Sequence, residues 1–306
     1  MRCDLLDRLI ACPRCHGRLA ATSRGYSCGA CGRDFAREGQ IPVLLTPEAE
    51  AALAVLKDAW GGDKVTTAAN QRLVAILRRL VPPSAPFLNL VSRANLSRIG
   101  AWLGARGSEA VLLDLGSGGG AGAGMAALDP RLLAERTVFL DVASSPGVNL
   151  IGDGAALPLK DQSFDAVLLK AVLEHVPDPQ GVIAEARRVL KPGGLLYLEV
   201  PFLFEYHPNP GDYTRYTRAG LEGLLGGFES VEVGTLVGPA TALASLLAHT
   251  VALGFSLGRI GPRKALHRFL TWLTWPLSLA DLVLVRLPGS HAVAHHLWAR
   301  AAKPGR

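Results

Sequence analysis

Aromatic residues are scarce in this 306-residue sequence, at 6% of the total, and the charge is only mildly unbalanced. The 32 basic and 26 acidic residues give a formal net charge of +6. Proteins that bind nucleic acid more often gather their charge into a basic patch or an aromatic-studded strip, and no such strip is evident. Internal repeats and low-complexity tracts are also missing. We therefore expect no nucleic-acid partner.

A secretory signal is lacking too, because the N-terminal sequence MRCDLLDRLIACPRC has no apolar segment behind a basic start. Of the five cysteines, four form CxxC pairs, which suit a metal in a reducing compartment better than disulfides. We expect a cytoplasmic protein. Its length leaves room for one large domain and a smaller one.

Residues 111–122 read VLLDLGSGGGAG, a short apolar run that ends in an acid and breaks into closely spaced glycines. This pattern predicts a buried parallel strand, a tight turn and the start of a helix. Glycine tolerates positive φ and lets a ligand lie against the backbone. By itself the loop fits NAD, FAD, S-adenosylmethionine or a plain sharp turn.

The segments that follow narrow this choice. Asp141 ends the apolar run VFLD, Asp153 opens GDGAALPL, Asp165 opens a further apolar run, and RVLKPGGLLYLEV supplies a helix end, a turn and a strand. With these motifs, residues 110–237 resemble the class I S-adenosylmethionine-dependent methyltransferases of the type 11 kind. Asp114 supports the resemblance, since an acid at the strand end would repel a dinucleotide pyrophosphate.

The resemblance implies a Rossmann-like α/β fold with a seven-stranded sheet and S-adenosylmethionine as the cofactor. It implies that Asp114 and the loop glycines hold the methionine end, that Asp141 holds the ribose, and that Asp153 and Gly154 contact the adenine. The full set of predicted cofactor residues is Asp114, Gly116, Ser117, Gly118, Gly120, Asp141, Val142, Asp153, Gly154 and Lys170.

The four paired cysteines, Cys12, Cys15, Cys28 and Cys31, can surround a tetrahedral Zn²⁺. A redox pair or unliganded thiols is the alternative. The order CPRC, CGAC and GQIPVLL resembles the small zinc-ribbon proteins that bind and stabilise methyltransferases, fused here to the enzyme. We assign residues 1–47 to this module and expect the zinc to be structural.

Residues 48–108 are predicted to form a linker and two N-terminal helices, NQRLVAILRRLV and NLVSRANLSRIGAWLGARG. Such helices either cover the cofactor as a lid or pack against the sheet. The remaining residues, 109–306, are assigned to the methyltransferase domain. The short, turn-rich segment between Asp141 and Asp153 predicts that the helix expected there is reduced or missing.

Two segments supply candidates for acceptor chemistry. His175, in KAVLEHVPDP after the fourth strand, either takes a proton from the acceptor or packs and hydrogen-bonds near the next helix. His207, Asp212, Tyr213 and Arg215 resemble an H…P…DY.R.T pattern of bacterial methyltransferases linked to surface glycans. His207 or Asp212 is then a base, and Tyr213 and Arg215 bind the acceptor; alternatively, an Asp–Arg pair only fastens the loop.

An apolar insertion at about 239–287 interrupts the domain before its last strand, and residues 233–258 carry no charge. Three placements are open: on the membrane surface with Trp272 and Trp275 at the interface and basic residues near anionic head groups, as buried cap helices over the active site, or as a spanning hairpin. Asp281 argues against the hairpin, because an acid near the bilayer centre is costly.

These features predict O-methylation of a saccharide or lipid-linked glycan at the cytoplasmic face of the membrane, with peripheral membrane association. Rival acceptors are a quinone-like or polyketide lipid, which the apolar insertion would suit, and tRNA or protein, suggested by the ribbon. A different class of hypothesis is a non-catalytic scaffold subunit with the cofactor fold. Three acids at the cofactor positions argue against a scaffold. The oligomeric state is left open.

Overall fold

The computed structural model describes residues 3–60, 90–118, 123–208, 211–257 and 259–305. Within them, one sheet contains the strands β1 (Leu19–Ala21), β2 (Gly25–Cys28), β3 (Asp34–Glu38), β4 (Ile41–Leu44), β5 (Leu112–Leu115), β6 (Thr137–Asp141), β7 (Leu150–Gly152), β8 (Phe164–Lys170), β9 (Leu190–Pro201), β10 (Glu229–Val237) and β11 (His296–Ala302).

The helices of the described residues are α1 (Cys3–Leu9), α2 (Pro47–Trp60), α3 (Leu90–Ala105), α4 (Pro130–Glu135), α5 (Pro179–Val189), α6 (Arg218–Leu224), α7 (Pro239–Ser256), α8 (Ile260–Thr274) and α9 (Asp281–Leu284). Short 3₁₀ turns occupy Ala123–Ala127, Leu173–His175, Trp275–Ala280 and Ser290–Val293.

The order β7-β6-β5-β8-β9-β11-β10 forms the main part of the sheet. Its first five strands are parallel, and β11 inserts antiparallel between β9 and β10. Leu113 of β5 packs in one core with Val182 of α5, while Leu112 packs in another with Leu96 of α3. Because helices cover both faces, the strand is buried along its whole length. The predicted seven-stranded α/β fold is confirmed.

The N-terminal residues extend this sheet rather than forming a separate body. β4 pairs in parallel with β7, with Val43 opposite Ile151 and Leu44 opposite Gly152. Strands β3, β2 and β1 continue antiparallel beyond it, so the sheet reaches eleven strands. The cysteine-rich segment and the α/β domain therefore share one hydrophobic core. Because β4 pairs with β7 of the same chain, that edge of β4 is not free to pair with another chain.

The N-terminal helices are only partly in view. The first predicted helix, NQRLVAILRRLV, lies outside the described residues. The second is α3, which buries Leu96, Ile99 and Leu103 against the sheet, in keeping with the packing alternative. Between β6 and β7 the chain forms turns without a helix, which confirms the prediction for that segment.

The helices α7 to α9 lie between β10 and β11, as an insertion before the last strand. Asp281 caps the N-terminus of α7: its carboxylate accepts the N–H groups of Ala240 and Thr241, each at 2.9 Å, and the Thr241 hydroxyl at 2.6 Å. Asp281, which argued against a membrane hairpin, thus ties the N-terminus of α7 to the end of the insertion. Among the described residues, only α7 has the length and composition for a membrane span; 39% of it is buried, so this is weak support for one.

Candidate functional site

The glycine-rich turn after β5 lies at the carboxyl ends of the parallel strands. Gly116 and Gly118 have φ of 70° and 60°, in the left-handed region that favours glycine. A Cβ on Gly116 would lie 2.5 Å from Cγ2 of Val172, whereas one on Gly118 would meet no described atom within 4 Å. The turn is therefore closed at Gly116 by Val172, while no described residue fills the space at the Cβ position of Gly118. Gly120 lies outside the described residues.

Asp114 is buried beneath this turn. Its side chain is 1% exposed, and in the described part of the chain neither carboxylate oxygen has a hydrogen-bond partner. The closest cation is the Nζ of Lys170, 3.9 Å from Oδ1. Burial raises the pKa of Asp114 to about 6, with Lys170 acting weakly in the opposite direction. The buried hydroxyl of Ser117 likewise has no described partner.

Asp141 stands at the end of the neighbouring strand. Its carboxylate accepts the N–H of Gly118 at 2.8 Å and the N–H of Ala143 at 3.2 Å, one on each oxygen. Each oxygen keeps a lone pair for a further donor. Val142 is half-buried beside it. Asp153 accepts the N–H of Ala155 at 2.9 Å and lies at the end of β7.

These residues fit S-adenosylmethionine. A buried carboxylate without a described partner suits the ammonium of a methionine moiety, and an acid with free lone pairs suits ribose hydroxyls. A Cβ on Gly154 would lie 3.5 Å from Val182 and 3.6 Å from Leu115, in ordinary van der Waals contact. The assignment of the individual predicted residues to this cofactor stays a prediction.

The loop from Phe204 to Arg215 is fastened by an ion pair. Asp212 accepts hydrogen bonds from both terminal nitrogens of Arg215 and from the N–H of His207 at 2.8 Å. The Arg215 hydrogen bond is the largest effect that lowers the pKa of Asp212 to about 2. A carboxylate this acidic is a poor base.

Arg215 also donates to the carbonyl oxygens of Phe204 at 3.2 Å and Glu205 at 2.9 Å. Its donors are largely used inside the loop, which favours the alternative in which the Asp–Arg pair is structural. Tyr213 is 56% exposed, so it stays a candidate for acceptor binding.

His175 and His207 meet across the site, with ring centroids 5.0 Å apart. Both face Glu174, whose side chain is fully buried and whose Oε1 lies 3.9 Å from the Nε2 of each histidine. Burial raises the pKa of Glu174. The two predicted histidines thus both lie beside Glu174, an acid that was not predicted as a site residue.

Several site residues were missed from sequence. Glu174 stands in the same LEHV motif as His175. An acid shortly after a buried strand was the feature of the sequence that could have indicated it as a site residue. The ring of Phe204 lies 4.4 Å from His207, 4.7 Å from His295 and 5.2 Å from His296, centroid to centroid. Burial lowers the pKa of His295 to about 4 and of His296 to about 3, so both are neutral at pH 7. Only their pairing in space reveals them.

The four paired cysteines form a compact cluster, with all Sγ atoms within 4.8 Å of one another. Cys12 and Cys31 are 3.7 Å apart, and Cys15 and Cys28 are 3.6 Å apart, sulfur to sulfur. Thiolates in tetrahedral coordination at about 2.3 Å from Zn²⁺ stand about 3.8 Å apart. The donor set and its spacing are therefore compatible with zinc.

Comparison with known proteins agrees with this geometry. Residues 113–198 match a family model described as a methyltransferase domain. Within this chain, residues 113–198 therefore correspond to a methyltransferase domain. The matched span contains Asp114, Asp141 and Glu174, while the loop that carries His207 and Arg215 lies beyond it.

Among curated proteins, the chain is similar to an uncharacterised methyltransferase of Mycobacterium ulcerans (strain Agy99), at 33% identity over 147 residues that cover 44% of this chain and 58% of that protein. A Mycobacterium tuberculosis (strain H37Rv) methyltransferase, also uncharacterised, is 32% identical over the same coverage. The chain thus spans a little over half the length of these relatives.

Solved structures with a similar fold include phosphoethanolamine N-methyltransferase 2 of Haemonchus contortus in complex with S-adenosyl-L-methionine, at 16% identity and a TM-score of 0.41, covering 68% of this chain and 52% of that one. Another is 1,6-didemethyltoxoflavin-N1-methyltransferase of Burkholderia thailandensis, at 18% identity and a TM-score of 0.38, covering 79% and 93%.

The buried carboxylate of the methyltransferase domain generates a test. Because the folded-state pKa of Asp114 is raised to about 6, its charge costs stability at pH 7, and this cost disappears as the pH falls towards the unfolded-state pKa. We expect Asp114→Asn to raise the free energy of unfolding of the ligand-free protein by about 1–3 kcal/mol at pH 7. The difference should narrow at pH 5, measured by urea denaturation.

Asp165 is the matched control. It is also buried, but its carboxylate accepts the N–H of Val111 at 2.9 Å and the Nζ of Lys191 at 2.6 Å. Asp165→Asn should therefore lower stability at pH 7. Equal destabilisation by both substitutions would show that the Asp114 carboxylate is satisfied in the folded protein.

Proposed function

We propose that this protein is an S-adenosylmethionine-dependent methyltransferase that O-methylates a saccharide or lipid-linked glycan at the cytoplasmic face of the membrane. Binding of the methyl donor is supported by one observation above all. The carboxylate of Asp114 is buried beneath the glycine turn at Gly116 and Gly118, beside Asp141. A buried acid without a described partner is costly unless a cation joins it. A methyl donor with an ammonium and a sulfonium group supplies that charge.

The chain's part in the reaction is to align and deprotonate the acceptor. When bound, S-adenosylmethionine supplies a methyl group already activated for in-line displacement. Asp114 and Asp141 hold the donor still, which removes much of the entropic barrier. With the donor held by Asp114 and Asp141, His207 or His175 would take the proton of the acceptor hydroxyl as its oxygen accepts the methyl group. Asp212 keeps the loop in place and does not act as the base.

The acceptor part rests on the polar loop and on the apolar insertion beside it. Glu205 of the loop accepts the hydroxyl of Ser245 on α7 at 2.7 Å, so the insertion borders the acceptor side. At the end of α7, Phe255 and Leu257 are 81% and 87% exposed. Large apolar side chains this exposed at a helix end suit the interfacial layer of a membrane.

Basic residues follow this apolar end in the sequence. The N-cap of α8 and the helix itself carry four basic residues, Arg259, Arg263, Lys264 and Arg268. Trp272 on the same helix is 53% exposed. Cations beside an apolar surface suit anionic head groups. A lipid-anchored acceptor would then reach the loop from the membrane. We also propose that the four-cysteine cluster holds a structural Zn²⁺, on the basis of its donor set and spacing.

Binding of S-adenosylmethionine, measured by titration calorimetry, tests the donor site. We expect micromolar binding by the intact, zinc-loaded protein and a loss of about 100-fold in Asp141→Ala, because charged hydrogen bonds to two ribose hydroxyls disappear. Asp141→Asn, which keeps one acceptor for the N–H of Gly118, should lose less.

Asp161→Ala is the control, since Asp161 is exposed and pairs with Arg188 away from the turn. Its affinity should equal that of the intact protein. Absence of binding by the intact, folded protein would remove the enzyme interpretation and leave the scaffold hypothesis.

Vesicle co-sedimentation tests the membrane part. The double substitution Phe255→Ser with Leu257→Ser should weaken binding to vesicles rich in phosphatidylglycerol by at least about 10-fold, because two large apolar side chains no longer enter the interface. Vesicles of phosphatidylcholine alone should bind more weakly than anionic ones.

Val283→Ser is the matched control. Val283 is 63% exposed on α9, next to Asp281 at the opposite end of α7, which is about 27 Å long. This variant should bind vesicles like the intact protein. Equal losses in all variants, or no vesicle binding by the intact protein, would contradict membrane association and turn the search to water-soluble acceptors.

A further inference from the structure

Three side chains at the acceptor side form a cluster that the proposed chemistry does not fully use. One ligand atom each of Glu174, His175 and His207 lies within 4.8 Å of the other two. Oε1 of Glu174 is 3.9 Å from the Nε2 of His175 and 3.9 Å from the Nε2 of His207. The two rings are nearly perpendicular, at 78°. Two imidazoles and a carboxylate thus converge on one point.

The buried carboxylate of Glu174 is the reason to expect a cation at this cluster. The side chain is 0% exposed, and over the described ranges neither of its oxygens accepts a hydrogen bond. Its main chain is held, because the carbonyl oxygen accepts the N–H of Tyr213 at 2.7 Å. A fixed, buried carboxylate without a donor is expensive unless a cation joins it. Among the described residues, the two histidines stand 3.9 Å from it, which is longer than a hydrogen bond, and the Arg215 guanidinium is close enough to oppose the rise in its pKa that burial causes.

Both histidines are oriented by main-chain carbonyl groups. The Nδ1 of His175 lies 2.6 Å from the carbonyl oxygen of Gly211, and the Nδ1 of His207 lies 3.0 Å from that of Glu205. A carbonyl oxygen can only accept, so each Nδ1 carries the proton and each Nε2 presents its lone pair towards Glu174. Histidines that ligate metals are typically fixed in this way through their second nitrogen.

Hydrogen bonds hold His207 in place at the cluster. Asp212 accepts the N–H of His207 at 2.8 Å, and Arg215 bonds both Asp212 and the Glu205 carbonyl oxygen. Arg215 Nη2 also lies 3.3 Å from Nδ1 of His207, a longer contact than the carbonyl bond. The Asp212–Arg215 pair that fastens the loop therefore also helps to position His207, one of the three converging side chains.

A second mixed cluster shows the contrast. Glu205, His249 and His267 also place their ligand atoms within 4.8 Å of one another. There, however, the carboxylate already accepts the Ser245 hydroxyl at 2.7 Å, and its side chain is 20% exposed. This carboxylate is satisfied without a cation, so the second cluster serves as a control.

We propose that Glu174, His175 and His207 bind a divalent transition-metal cation of the class that prefers imidazole with carboxylate, such as Zn²⁺, Fe²⁺, Mn²⁺ or Co²⁺. Ligands about 2.1 Å from such an ion stand about 3 to 3.5 Å apart, so small side-chain shifts would bring the three atoms onto it. Three protein ligands leave positions open for an acceptor oxygen, and an ion bound there would replace the histidines as the group that promotes loss of the hydroxyl proton. The ion would lie near the donor turn, since Val172 packs against Gly116.

Cobalt titration of the protein loaded with one equivalent of Zn²⁺ tests this site while zinc occupies the cysteine cluster. We expect one equivalent of Co²⁺ to bind, with ligand-field absorption and no thiolate-to-cobalt charge-transfer band. Glu174→Gln and His207→Asn should each weaken Co²⁺ binding at least 10-fold. His249→Asn, from the second cluster, should leave it unchanged.

Tryptophan fluorescence of each variant checks the fold, and Glu174→Gln removes a buried charge without changing the size of the side chain. The proposal is overturned if no Co²⁺ binds beyond the zinc, if bound Co²⁺ shows only thiolate charge transfer, or if His249→Asn abolishes binding while Glu174→Gln does not. Because the signal comes from the metal, it is independent of the donor, and S-adenosylmethionine binding in the same samples judges the proposed function separately.

Discussion

Two carboxylates without described hydrogen-bond partners, Asp114 and Glu174, lie buried at the same edge of the parallel sheet. A buried negative charge is tolerated only where positive charge or hydrogen-bond donors compensate it. At this edge the described residues supply one lysine 3.9 Å from Asp114 and two imidazoles 3.9 Å from Glu174. The sheet thus holds two sites prepared for cations, one on the donor side and one on the acceptor side.

The rest of the structure keeps these carboxylates in place. Helices on both faces exclude water from β5, and the turn at Gly116 closes against Val172. The Asp212–Arg215 pair fixes the loop that covers Glu174, and Asp281 fixes the insertion beside it. At the far edge, β4 of the cysteine-rich segment pairs with β7, so the ribbon stabilises the strand that precedes Asp153. Fold stability and site geometry therefore depend on the same contacts.

Local patterns in the sequence predicted the parts whose causes are local. The apolar runs around Asp114 and Asp141 predicted the strands, and the spacing of four cysteines predicted their cluster. The parts that depend on distant contacts could not be predicted: the pairing of β4 with β7, the capping of α7 by Asp281 from 40 residues away, and the meeting of Glu174 with His207. The sequence left Asp212 either as a base or as the partner of Arg215, and the contact between the two side chains favours the second role.

The most direct test of this account is a crystal structure of the zinc-loaded protein with S-adenosylhomocysteine. The account predicts that the amino group of the homocysteine moiety lies about 3 Å from the Asp114 carboxylate and that the ribose hydroxyls lie on Asp141. A complex in which the product binds elsewhere, or in which the Asp114 carboxylate stays unpaired beside it, would contradict the claim that the buried acid is there to receive the donor's positive charge.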